Sequence, residues 1–133
     1  MYDKPIAKAL NELNLDGNDV EIHFDKTHPD LISRTDVLGC YWSHFVCVRA
    51  SGRTLEEVLN TLRHELRHYW QEVNGWKFDQ SLPYMQQKHE IDAFKWAELW
   101  SYTVKTLKCI CRDKGIKGYN NKTKKEIINL LMK

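Results

Sequence analysis

From Thr54 the chain reads TLEEVLNTLRHELRHYWQEVNG, and this stretch restricts the possible folds more than any other. Thr54 and Glu57 make the T-x-x-E pattern of a capping box, so a helix is expected to begin there, and Asn74-Gly75 is expected to end it. At about 100° per residue, Leu55, Val58, Leu59, Leu62, Leu66, Tyr69 and Val73 fall on one stripe that needs a core to cover it. His64 and His68 fall nearly opposite, one turn apart, facing either solvent or a cleft.

His64, Glu65 and His68 also stand in the order H-E-x-x-H. Two imidazoles at i and i+4 on a helix reach one zinc ion without strain, and catalytic zinc takes three protein ligands and keeps one position open. Glu65 would lie beside the metal without binding it, placed to take a proton from water that the metal acidifies and to pass it to a leaving amine. The competing reading is a charged helix carrying two surface histidines.

The rest of the pattern supplies partners for this helix. Ile6, Leu10 and Leu13 recur at helical spacing between Pro5 and Leu15, before DGND breaks the run. In VEIHFD, Val20, Ile22 and Phe24 alternate with polar residues, as in a strand with one buried face. Gly39 to Ser51, rich in aromatic and β-branched residues, reads as one long strand or two paired short ones. After Pro83 a second helix is expected from about Gln86 to Ser101, with Glu90, Ala93, Phe94, Ala97 and Ser101 on one face and His89 and Asp92 projecting elsewhere. The small residues on that face allow close approach to another helix. The fold class is therefore α+β.

With 133 residues, 42% hydrophobic and 29% charged, the chain suits one ordinary globular domain with a small appendage. Its first fifteen residues mix charged and apolar positions, so neither a signal peptide nor a membrane span is expected, and the protein is placed inside a cell. Cys40, Cys47, Cys109 and Cys111 form no CxxC pair and read as reduced thiols. A second metal site from Cys40, His44 and Cys47 is a weaker alternative, because its spacing matches no common zinc pattern.

Charge divides the chain near Ser101. Residues 1–102 carry eleven Lys or Arg against sixteen Asp or Glu, whereas residues 103–133 carry nine against two. A basic module on an acidic body suggests a nucleic-acid partner; a solvated helical face is the plainer alternative. The tail reads as two short helices. Val104, Leu107, Ile110 and Cys111 line the first, Gly115 and Gly118 make the turn, and a Thr123/Glu126 capping box opens the second, lined by Ile127, Leu130 and Leu131.

The H-E-x-x-H stretch followed by HEIDAFKWA resembles the gluzincin type of zinc metallopeptidase, and is similar to the short ImmA/IrrE-like and minigluzincin proteins and more loosely to SprT-like proteases. The likeness covers roughly residues 20–101. It implies a zincin-like body in which Glu90 is the third ligand beside His64 and His68, and a strand edge over Gly39 to Ser51 that takes an extended peptide. SprT-like proteins usually place a histidine third, so His89 stays an alternative to Glu90, with Asp92 behind it. The family also uses a Tyr or His to stabilise the oxyanion, for which Tyr69, Tyr84 and Tyr102 are candidates.

Leu107, Ile110, Gly115, Ile116, Gly118, Tyr119, Lys122, Lys125, Ile127 and Leu130 resemble the SAP motif, a helix-extended-helix DNA-binding module, over nearly all of residues 103–133. Lys114, Lys117, Lys122, Lys124 and Lys125 cluster at the turn and a helix N-terminus, where phosphate contact is favoured. The combined expectation is a zincin-like metallopeptidase domain over 1–101 and a SAP-like module over 102–133. Together they make a monomeric, intracellular zinc endopeptidase that acts on proteins at double-stranded DNA without a membrane, as suits a phage or viral protein. The rival expectation is a non-catalytic, zinc-containing DNA-binding adaptor.

Overall fold

In the computed structural model, which describes residues 2–25 and 37–133, helix α2 (Leu55–Val73) occupies the middle of an α+β arrangement. Its start is fixed as expected: the Thr54 hydroxyl accepts from the Glu57 amide, and the Glu57 carboxylate accepts from the Thr54 amide. Beyond Val73 the chain turns through Gly75 at φ +79°, a left-handed conformation that glycine adopts without strain.

Around α2 stand α1 (Asp3–Glu12), α3 (Lys88–Ser101), α4 (Val104–Asp113) and α5 (Lys124–Met132), making five helices among the described residues, with a short 3₁₀ turn at Tyr84–Gln86 before α3. The three strands are β1 (Glu21–Phe24), β2 (Gly39–Trp42) and β3 (Phe45–Val48). The Gly39–Ser51 run thus resolves into two paired strands, joined by Ser43-His44, both with positive φ as tight hairpins require. β3 is central, antiparallel to β2 and parallel to β1, in the order β1-β3-β2.

Gly39 is what allows β2 to lie against α2. A Cβ there would stand 2.6 Å from Thr61 Cγ2 and 3.1 Å from Glu65 Cγ, so any side chain would push the strand off the helix at the H-E-x-x-H segment.

One hydrophobic core joins Val46 and Val48 of β3, Leu59, Leu62 and Leu66 of α2, Trp96 and Trp100 of α3, and Ala9 and Leu10 of α1. Leu107 and Cys111 of α4 and Ile127, Ile128 and Leu131 of α5 belong to the same cluster, so the basic tail is packed on the body. Its Gly115 and Gly118 take φ +72° and +84°, and the Thr123/Glu126 capping box forms. Ile128 is fully buried there, while Leu130 is only half-buried.

α2 departs from its expected amphipathic form. Leu55 and Val73, placed on the core stripe by periodicity, are 56% and 53% exposed because the helix ends extend past the core. Conversely, its polar side is buried: Arg63, His64, Glu65, Arg67, His68 and Gln71 are all nearly inaccessible. Burial of so many polar groups is tolerable only with partners, and neighbouring elements supply several. Arg63 donates to both oxygens of Glu12 on α1 at 2.9 and 3.0 Å. Arg67 donates to both oxygens of Asp92 on α3 at 2.7 and 3.2 Å, with its guanidinium over the Trp70 and Trp96 rings. Asp92 therefore points back to α2 instead of projecting elsewhere. Ala93 and Ala97 are buried on α3, as the small-residue face predicted.

No helix among the described residues is long and apolar enough to cross a membrane.

Candidate metal centre

α2 and α3 bring His64, His68 and Glu90 together on the wall of a groove that also contains Gly39, Tyr41, Glu65 and Tyr84. His64 Nε2 and His68 Nε2 lie 3.0 and 3.1 Å from the same oxygen, Glu90 Oε1, and 3.2 Å from each other. Four-coordinate zinc with bonds of about 2.0 Å separates neighbouring ligand atoms by about 3.3 Å, so this triangle has nearly the dimensions of three corners of a zinc tetrahedron. Among the described residues it is the only group of three or more His, Cys, Asp or Glu side chains whose ligand atoms converge in this way.

The electrostatics also favour a cation. Glu65 and Glu90 are both buried beside the imidazoles. Burial alone would raise the Glu90 carboxyl, but hydrogen bonds from His64 and His68 hold it well below the usual carboxylate range. Burial opposes charge on His68, yet the bond to Glu90 and the nearby Glu65 carboxylate raise its pKa. Glu65 does not join the triangle: its Oε1 is 4.0 Å from His64 Nε2, and burial pushes its carboxyl above the ordinary value. A buried glutamate of raised pKa, next to the ligand set yet outside it, is suited to accept a proton and release it again.

The alternatives for the third ligand lie differently. His89 Nε2 is 3.6 Å from Glu90 Oε2, the oxygen that the imidazole pair does not meet, and its ring centre is 5.7 Å from that of His68. Asp92 is held by Arg67. The Cys40, His44 and Cys47 combination does not assemble either. The two cysteines are cross-strand partners in the β2–β3 ladder, while His44 Nδ1 lies 3.1 Å from the Asp19 carbonyl and Nε2 lies 3.1 Å from Glu72.

Of the three tyrosines, Tyr84 reaches the site. It is 52% exposed, but desolvation of the hydroxyl and the adjoining Glu90 carboxylate raise its pKa, and the hydroxyl is a hydrogen-bond donor at neutral pH. Tyr69 is buried beside Tyr41 and His44, and the Tyr102 hydroxyl donates to Glu98 at 2.6 Å. Sequence reasoning missed Tyr41, whose ring lies 6.3 Å from that of His68 and whose hydroxyl donates to Glu72. Its strand position carried no motif. It also missed Gln71, which the three-residue spacing from His68 on a helix could have flagged.

The tail lysines divide by direction. Lys124 Nζ donates to the Trp100 carbonyl at 3.0 Å, and Lys125 Nζ donates to the Asn11 carbonyl at 2.9 Å, so both reach back to the body. Lys114 and Lys117 are exposed at the glycine turn, and exposed Lys122 lies 3.9 Å from Glu126.

Fold and site together describe a small α+β protein with a candidate three-ligand metal centre in a groove. Comparison with known proteins found no family model, no curated protein and no solved structure that matches the chain.

Proposed function

We propose that the protein is a zinc-dependent endopeptidase, with His64, His68 and Glu90 as ligands and Glu65 as general base. The observation that carries this reading is the convergence of two Nε2 atoms and one carboxylate oxygen within about a zinc ligand spacing, beside a buried glutamate outside the set. Zinc held there would supply Lewis acidity, polarising the scissile carbonyl and acidifying water.

Glu65 would accept the proton from the attacking water and deliver it to the leaving nitrogen. The Tyr84 hydroxyl would donate to the oxyanion, in the role the gluzincin resemblance assigns to a Tyr or His. β2, at the sheet edge among the described strands, would align an extended peptide along the groove through its backbone groups. Cleavage of an unfolded protein by the wild type, abolished by a chelator and restored by zinc, tests the reading. Unchanged cleavage in chelator would refute it.

The tail would bring this activity to double-stranded DNA, and the outward lysines Lys114, Lys117 and Lys122 would make the phosphate contacts. Replacing Lys114 and Lys117 with Gln should weaken duplex binding and reduce the slope of log affinity against log salt by about 2, close to one per phosphate contact. Lys124→Gln and Lys125→Gln should instead lower stability and leave that slope unchanged. Fluorescence anisotropy across a salt series checks both outcomes; equal effects from all four positions would count against this division of roles.

A further inference from the structure

Gln71 is fully buried on α2, three residues after His68, and its side-chain amide makes three hydrogen bonds. Its Nε2 donates to the His89 carbonyl at 2.9 Å and to Asp92 Oδ2 at 2.8 Å. Its Oε1 lies 2.9 Å from His68 Nδ1. Only one orientation of the amide is compatible with these neighbours. If it were reversed, its oxygen would face a carbonyl and a carboxylate, two acceptors with no proton to share. Asp92 in turn cannot turn away, because Arg67 grips both its oxygens.

We infer that Gln71 is the positioning residue that fixes the tautomer of His68, and that Arg67 and Asp92 act through it. With Oε1 pinned toward the ring, His68 Nδ1 must carry a proton and donate it. In the metal-free site Nε2 carries a proton as well, donated to Glu90 Oε1; a metal would displace that proton, and with Nδ1 held protonated the lone pair is then on Nε2. The chain from Arg67 through Asp92 and Gln71 to His68 crosses from α2 to α3 and back. It therefore also sets the distance between the helix that carries the imidazoles and the helix that carries Glu90. Hydrogen bonding of this kind to the remote nitrogen orients a metal-binding imidazole and raises its basicity.

The zinc part of this inference rests on the proposed metal site; the tautomer part does not. The test is long-range proton–nitrogen NMR of His68 in the full chain, before and after zinc is added, together with a zinc competition titration of wild type and Gln71→Met. The expected results are a proton on Nδ1 in the wild type, and zinc binding about 10- to 100-fold weaker in the variant, the usual loss when such a partner is removed. A wild-type His68 whose Nδ1 carries no proton would overturn the inference, as would a folded Gln71→Met that binds zinc as tightly as wild type. If Gln71→Met does not fold, the wild-type tautomer decides. If the wild type binds no zinc, the proposed function fails, and the tautomer still decides the role of Gln71.

Discussion

Glu65→Gln is expected to retain zinc while lowering peptide hydrolysis by about 10²- to 10⁴-fold, the usual contribution of a positioned general base. The amide keeps the shape of the carboxylate, so the contact with Gly39 and the course of α2 should survive. What disappears is the group that accepts a proton. The glutamate is suited to that role because burial raises its carboxyl toward the working pH while it stays 4.0 Å from His64 Nε2, outside the ligand triangle. Turnover of an unfolded protein substrate, measured beside zinc content, separates the two effects. Hydrolysis at the wild-type rate by a zinc-loaded Glu65→Gln would remove Glu65 from the mechanism, and loss of zinc would show that it helps to hold the metal.

The largest effect on stability is expected at the other face of α2. Glu12→Ala should destabilise the protein by about 3–5 kcal/mol, because it leaves the Arg63 guanidinium buried without its counter-charge. Both side chains are almost wholly inaccessible, at 2% and 4% exposure, and Arg63 Nη1 already has no partner among the described residues. A Glu12→Leu/Arg63→Met double variant should recover most of the loss, since exchanging a whole buried pair for apolar groups of similar size is often close to neutral. Urea unfolding of the three proteins checks this. A Glu12→Ala variant as stable as wild type would mean that water or another group reaches Arg63.

These two predictions mark how far the sequence could be read. The caps of α2 and α5, the glycine turns and the strand alternation were legible because each depends on residues close together in the chain. The H-E-x-x-H spacing was legible for the same reason. The burial of the polar side of α2 was not, because Arg63 meets Glu12 across 51 residues and Arg67 meets Asp92 across 25. Periodicity sorts side chains into faces, but it does not say how many faces a neighbour will cover. Resemblance named Glu90 as a ligand, and the small residues on its face favoured it over His89; Ala93 and Ala97 are buried on the helix that packs against α2. Likewise, composition saw five tail lysines as one group, whereas the docking of α5 turns Lys124 and Lys125 inward.

Metal content of the purified full chain, measured for wild type, Glu90→Ala and His89→Ala without exposure to chelators, tests the central claim most directly. The geometry predicts about one zinc per wild-type chain, consistent with a single three-ligand site, kept in His89→Ala and lost in Glu90→Ala. Zinc absent from the wild type, or zinc that survives the loss of Glu90 unchanged, would contradict the account.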